Sequence, residues 1–189
     1  MALSEEIYRD IYESLDSVSP MAFDCGKLCS AACCGCTGVP KDQQDDMGIF
    51  LLPGEEQMLV DDADWLYWWT GKAEDFFFPY SWRGTDIYFV RCKDPFHCHR
   101  KKRSIQCRTF PVSPHLLSSG RLSLVFNDME LPYLCPLIEE GVELEPDFLH
   151  VTWEAWNELI TDPLIYDYVS MDSDNRRPDL EPEDILYTE

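Results

Sequence analysis

Residues 25–36 read Cys-Gly-Lys-Leu-Cys-Ser-Ala-Ala-Cys-Cys-Gly-Cys, and this stretch determines how the rest of the chain is interpreted. It holds five of the nine cysteines in the 189-residue sequence. A hydrophobic core does not need cysteine at that density. The small residues between the cysteines leave room for several sulfur atoms to converge, so the stretch predicts a metal-binding site.

The spacing of these cysteines argues against a single ion held by a straight helix. Cys25, Cys29 and Cys33 recur every four residues and would share one face of a helix. A straight helix places the Cα atoms of Cys25 and Cys33 about 12 Å apart, whereas zinc–sulfur bonds are about 2.3 Å long. The adjacent Cys33 and Cys34 point in different directions. Unless the backbone bends, we expect the stretch to supply halves of two sites, or corners of a cluster, with the other ligands coming from elsewhere.

Charge and cysteine content limit the class of protein. The formal net charge is −21 and the sequence pI is near 4.3, so the surface repels nucleic acid and anionic membranes. The N-terminus lacks the basic and apolar regions of a signal peptide, and no apolar stretch approaches the ~20 residues that span a bilayer. We therefore expect a cytoplasmic protein, in which reduced cysteines serve as metal ligands or redox groups. Its expected partners are a metal ion and an unidentified protein or redox partner, with no nucleic acid and no membrane.

A second group of cysteines, Cys92, Cys98 and Cys107, lies in a basic segment. Seven of the fifteen Lys and Arg residues of this acidic chain fall between positions 91 and 108. One interpretation is charge balance, because nearby cations stabilise thiolate over thiol. The other is a site for an anion or an acidic partner.

Hydrophobic periodicity predicts an α+β fold: a small single domain of peripheral helices and a few short strands, with cysteine-rich, metal-stapled loops. We expect an N-terminal helix in 1–20, a cysteine-cluster domain over 21–140, C-terminal helices over 141–171 and an acidic, loosely ordered tail over 172–189. Within the central domain, a helix is predicted from Pro53 to about Trp69, strands over 85–91 and 122–126, and a buried aromatic segment over 76–82.

The order of the cysteines resembles that of a known family. A first group ends in a Cys-Cys pair, a lone cysteine follows, then a cysteine with Arg103 and Cys107-Arg108, and finally a late cysteine. This pattern, over residues 25–136, is similar to the YkgJ-like zinc- or iron-chelating cysteine-cluster proteins. Ser104 stands where that family usually has proline, the gap from Cys98 to Cys107 is one residue short, and Cys36 is extra.

The resemblance implies that the protein chelates metal. The implied ligands are Cys25, Cys29, Cys33, Cys34, Cys92, Cys98, Cys107 and Cys135, with His97 or His99 as a substitute for Cys98. Eight cysteines suffice for two four-thiolate zinc sites, or for one iron–sulfur cluster of the [4Fe–4S] type and one zinc.

Three functions stay open at this point. The first is a zinc-binding protein whose metal supports the fold, and the second is an iron–sulfur protein that carries electrons or serves an enzyme. The third is a cysteine-based enzyme that uses a thiolate beside His97 or His99. The sequence contains no phosphate-binding glycine loop, serine nucleophile motif or His-Glu-x-x-His motif.

Overall fold

Short helices and strands follow one another irregularly along the chain. The computed structural model of the protein describes residues 3–29, 31–35, 48–59, 64–94, 100–127, 133–176 and 180–189. The helices are α1 (Glu5–Asp16), α2 (Ala32–Gly35), α3 (Ile105–Thr109), α4 (Pro136–Glu139), α5 (Pro146–Leu159) and α6 (Pro163–Arg176). The strands are β1 (Ile49–Phe50), β2 (Leu66–Lys72), β3 (Asp86–Cys92), β4 (Val112–Leu116), β5 (Leu122–Phe126) and β6 (Ile185–Thr188). Antiparallel sheets stand beside helices without parallel crossovers in this part of the chain, which confirms the predicted α+β class.

Helix α1 forms where its sequence predicts. Ser4 caps it, because its hydroxyl accepts a hydrogen bond of 3.3 Å from the Ile7 N–H. Tyr8, Ile11 and Leu15 then recur at helical spacing and are buried. That face packs against α5, so the first helix and the C-terminal helices share one core.

In the described part of the chain the strands form two three-stranded antiparallel sheets. In the first, β3 lies between β1 and β2, with Phe50 opposite Phe89 and Leu66 opposite Cys92. In the second, β5 lies between β4 and β6, and Leu124 lies opposite Tyr187. Cys92 therefore sits at the end of a strand, as the sequence predicts.

The predicted helix from Pro53 to Trp69 is wrong. A 3₁₀ turn, Glu55–Met58, occupies its start, and β2 occupies its end. The consecutive aromatic residues Tyr67, Trp68 and Trp69 suit a pleated strand, where neighbouring side chains point to opposite faces. Spacing alone was also compatible with a helix.

Two other regions differ from the sequence prediction. The C-terminal region is more ordered than expected, because α6 continues to Arg176 and β6 pairs with β5. The aromatic segment 76–82 is only partly core: Trp82 is buried, whereas Phe77 and Tyr80 are each 80% exposed.

None of the helices in the described ranges is both long enough and apolar enough to cross a lipid bilayer.

Candidate metal centre

The first cysteine stretch bends sharply. Asp24 caps a 3₁₀ turn at Cys25–Lys27, accepting a hydrogen bond of 3.2 Å from the Gly26 N–H. Ala31 then adopts a left-handed conformation, with φ of 56°, and donates its N–H to the Gly26 carbonyl at 2.8 Å. Helix α2 begins at the next residue. The stretch therefore does not form a straight helix from Cys25 to Cys33. A bend of this kind is the condition under which the spacing of its cysteines allows them to share one ion.

The last cysteine comes from a distant part of the chain. Cys135 immediately precedes α4, and its carbonyl accepts a hydrogen bond of 3.0 Å from the Ile138 N–H. Pro136 suits the first position of that helix, where no N–H is needed. The Cys135 side chain is buried, so its sulfur faces the protein interior.

Cys25, Cys29, Cys33 and Cys135 line one small cavity, of about 20 Å³. A space of that size holds about one water-sized sphere, which is appropriate for a single ion. Phe110, Tyr133, Leu134 and Leu137 complete its wall. Four cysteine residues, three from the first cysteine stretch and one from the start of α4, thus border one mainly apolar cavity.

The described side chains around this cavity nevertheless do not have the geometry of a metal site. Within the described ranges, no three His, Cys, Asp or Glu side chains are arranged to hold a metal ion. In a four-thiolate zinc site each sulfur lies about 2.3 Å from the metal. The donor types therefore fit a thiophilic metal, although their positions among the described residues do not form a metal-binding group.

The thiols influence one another electrostatically. Burial raises the pKa of Cys25 to about 11, and the neighbouring thiols of Cys33 and Cys29 and the carboxylate of Asp24 add to the rise. Burial also raises the pKa of Cys135, helped by Cys33 and Cys29 and opposed by the backbone N–H groups of Leu137 and Ile138. These thiols therefore keep their protons at neutral pH unless a cation replaces them.

Arg103 connects the basic segment to this site. It donates hydrogen bonds of 3.0 and 3.2 Å to the two carboxylate oxygens of Asp24, and its charge lowers the pKa of Cys25. Burial and the charges of Arg103 and Arg108 lower the pKa of Arg100, and Asp24 and Cys25 oppose that shift. At these two arginines, the charge-balance interpretation has structural support.

Arg108 explains another part of the basic segment. Its guanidinium is buried, lies 4.4 Å from the centre of the Tyr12 ring and pairs with Asp16. It also donates hydrogen bonds of 2.7 and 2.5 Å to the carbonyls of Arg103 and Lys101. Arg108 thereby fixes the segment that carries Arg103 against the C-terminal end of α1, a role that sequence reasoning missed.

The structure does not bring all the predicted ligands to this cavity. Cys92 ends β3 and packs against the main core. Cys107 lies in α3, where it adds to the rise in the pKa of Tyr12 that burial and Glu55 mainly cause. Among the described residues that line the cavity, neither Cys92 nor Cys107 is present. Cys34 belongs to α2, but its side chain, together with Cys36, His97, Cys98 and His99, lies outside what the structure describes.

Comparison with known proteins adds no relative to this picture. No protein-family model matches the chain, and neither a curated protein nor a solved structure shows significant similarity to it.

Proposed function

We propose that the protein binds zinc between Cys25, Cys29, Cys33 and Cys135, as a member of the YkgJ-like chelating family. The observation that carries this proposal is that these four cysteines line one and the same cavity. Thiolate is a preferred zinc donor, and four thiolates form closed, structural zinc sites. Bound zinc would link the bend at residues 25–35 to the segment that starts α4, so binding energy contributes to folding.

The size of the cavity favours an ion over a cluster. About 20 Å³ accommodates one small sphere, whereas an iron–sulfur cluster brings several metal and sulfide atoms. We therefore propose zinc ahead of an iron–sulfur cluster. A cysteine enzyme that uses a thiolate beside His97 or His99 would involve residues outside those that the structure describes.

The remaining matched cysteines form a second candidate set. They are Cys34, Cys92, Cys98 and Cys107. Cys92 and Cys107 do not line the first cavity. Side chains of adjacent residues generally point in different directions, so Cys33 and Cys34 can serve different sites. A measured content of two metal ions per chain would support two separate sites. A content of one ion per chain would support the first site alone.

The deciding experiment is elemental analysis of protein purified without oxygen, together with its visible spectrum. Colourless protein containing zinc is the expected result. Brown protein that absorbs broadly in the visible range and contains iron and sulfide would show that the site holds an iron–sulfur cluster and not zinc. Protein that contains neither metal, even after reconstitution with zinc under reducing conditions, would overturn the proposal.

A matched pair of variants tests the ligand set. Cys29→Ser should lose one zinc per chain and melt at a clearly lower temperature, because the site's binding energy stabilises the fold. Lys27→Ser, an exposed neighbour outside the cavity, should keep both metal and melting temperature. Full metal content and normal melting in Cys29→Ser would refute the assignment.

A further inference from the structure

Strand β2 lies at one edge of the sheet β1-β3-β2. Its seven residues, Leu66–Lys72, pair with β3 on one side. Within the described ranges, no strand pairs with its other side. An edge strand presents N–H and C=O groups that can form hydrogen bonds with a strand from another molecule. The outer edge of β2 is therefore a candidate interaction surface.

The ladder with β3 shows which backbone groups of β2 face outward. The Lys93 N–H donates to the Trp65 carbonyl at 3.0 Å, and the Ala73 N–H donates to the Thr85 carbonyl at 3.2 Å. Hydrogen-bonded positions alternate in an antiparallel ladder, so the odd-numbered residues of β2 bond to β3. The even-numbered residues direct their N–H and C=O groups away from β3. These residues are Leu66, Trp68, Thr70 and Lys72.

The side chains of β2 suit contact with another strand. Tyr67 and Trp69 point to the same face of the sheet, because side chains alternate along a strand. Tyr67 is 54% exposed, although the Arg91 guanidinium lies 4.7 Å from its ring, and Trp69 is 45% exposed. The strand contains no acidic residue, in a chain with a net charge of −21. Two copies of so acidic a chain therefore repel each other less at β2 than at acidic segments.

A second copy of β2 complements the first when the two strands run antiparallel about a twofold axis at Trp68. Leu66 of each copy then lies opposite Thr70 of the other, so the new ladder uses the outward-facing backbone groups. Tyr67 of each copy lies opposite Trp69 of the other. That position is not hydrogen-bonded, and side chains are closest there. Aromatic pairs across strands stabilise a sheet, and symmetry makes this pair twice.

Charges near the ends of β2 favour this register over its neighbour. The axis at Trp68 places Lys72 of each copy opposite Asp64 of the other. The Asp64 side chain is exposed and has no ion-pair partner among the described residues. Lys72 pairs with Asp86 of its own chain at 2.6 Å, but its side chain is 51% exposed and its ammonium has three donors. An axis at Trp69 would instead place Asp64 opposite Glu74, which are like charges.

Pairing of two β2 strands would produce a closed assembly. The two sheets would join into one sheet of six strands in the order β1-β3-β2-β2-β3-β1. Its outer strands would be the two copies of β1, each only two residues long. Very short edge strands resist further pairing, so the assembly ends at two chains related by a twofold axis.

We propose that the protein forms a twofold-symmetric dimer through antiparallel pairing of its β2 strands. Backbone hydrogen bonds and the Tyr67–Trp69 pairs join the copies, and the Lys72–Asp64 pairs set the register. An interface limited to two seven-residue edges is small, so we expect reversible association with a dissociation constant in the micromolar range. The dimer does not depend on the proposed zinc site.

Sedimentation velocity of the full chain tests whether the dimer forms. Reducing conditions prevent disulfides between chains, and about 0.15 M sodium chloride screens repulsion between the acidic chains beyond about 8 Å. We expect a reversible monomer–dimer equilibrium between about 1 µM and about 1 mM protein. A chain that stays monomeric throughout would overturn the proposal and leave the edge to a strand of another protein.

A proline at the edge tests whether β2 is the contact. Thr70→Pro removes an outward N–H and places a ring at the edge, so it should weaken association at least about tenfold. Tyr80→Ala removes a ring that is 80% exposed but lies outside β2, and should change association less than about twofold. Equal effects of the two variants would place the contact elsewhere.

Charge reversal tests the register, and keeps the proposal falsifiable if Thr70→Pro fails to fold. Lys72→Glu and Asp64→Lys should each weaken self-association about fivefold, because like charges then face each other at both ends. An equimolar mixture of the two variants should associate as well as the parent, because opposite charges meet at both ends of the mixed dimer. No recovery in the mixture would refute the register.

Discussion

Within the described residues, Arg103 is the cation that lowers the pKa of Cys25 in the candidate metal centre. Its side chain is mostly buried, it binds the carboxylate of Asp24, and its charge opposes the rise in the pKa of Cys25. Lys101 belongs to the same basic segment but has an exposed side chain. Comparing variants of the two residues therefore distinguishes an effect of the Arg103 contact from an effect of positive charge in general.

Arg103→Gln is expected to shift the loss of metal to higher pH. Without this cation the pKa of Cys25 rises further, so protons compete with metal up to a higher pH. The measurement is metal retained after dialysis across a pH series, with Lys101→Gln as the control. Equal shifts in both variants would show that the effect is not specific to Arg103.

Glu55 is a fully buried carboxyl that sequence analysis did not single out. It accepts hydrogen bonds of 2.7 Å from the Tyr12 hydroxyl, 2.7 Å from the Ile105 N–H and 3.0 Å from the Leu52 N–H. Burial raises the pKa of Glu55 above its usual range, and the three donors offset part of that rise. Glu55 thus joins α1, the turn after β1 and the start of α3.

The stability contributed by Glu55 should fall as pH rises. Its unfolded pKa is about 4.3, and the folded pKa is higher, so the folded state binds this proton more tightly. The contribution is complete below the unfolded pKa and is lost as pH rises through the folded value. The test is the difference in free energy of unfolding between the parent and Glu55→Gln at successive pH values. A difference that grows with pH would show that the pKa is lowered instead.

At the scale of elements, β6 makes the C-terminal region part of the second sheet. Tyr187 lies opposite Leu124, and its hydroxyl is 2.9 Å from His150 Nδ1 on α5. Thr188 Oγ1 donates a hydrogen bond of 3.1 Å to the Leu122 carbonyl. Leu186 packs against the main core.

Removing residues 185–189 should therefore destabilise the protein. The loss of partly buried Leu186 and Tyr187 is expected to cost about 2 kcal/mol of unfolding free energy, measured by urea denaturation. Amide exchange in β5 should become faster. Glu183→Ala, an exposed change just before the strand, serves as the control. Unchanged stability after truncation would favour the loosely ordered tail predicted from composition.

Sequence predicted those elements that depend on local signals. The four-residue spacing of α1 and its Ser4 cap, and the β-branched and aromatic content of β3, are local properties. The strand β2 was missed because its register is fixed by pairing with β3, a contact between distant residues. The C-terminal strand β6 was missed for the same reason, because it pairs with the distant β5 while its own segment is acidic in composition.

For the candidate metal centre, the sequence proposes a set of ligands but not how they are grouped. The density of cysteines and the family resemblance indicate the candidate ligands. The grouping of three early thiols with Cys135 depends on the bend at Ala31, a left-handed conformation that alanine rarely adopts. The positions of Asp24 and Arg103 follow from tertiary contacts that no motif marks.

For the whole molecule, the net charge of −21 opposes compaction through repulsion among carboxylates. Raising sodium chloride from about 0.05 M to about 0.5 M shortens the range of that repulsion, so the urea midpoint should rise. Buried pairs such as Arg108–Asp16 are screened less and should not reverse this trend. Sucrose at matched osmolality controls for solute exclusion, and a midpoint that falls with salt would show that attractive pairs dominate.

The four cysteines that line the first cavity lie in two distant parts of the sequence, and this has a consequence during synthesis of the chain. Cys25, Cys29 and Cys33 leave the ribosome together, and Cys135 follows about 100 residues later. At about 5–20 residues per second, the nascent chain presents three thiols without the fourth for about 5–20 s. During that interval the early cysteines are open to oxidation or to capture of the wrong metal. The emergence of Cys135 therefore sets the time at which the nascent chain can complete its site.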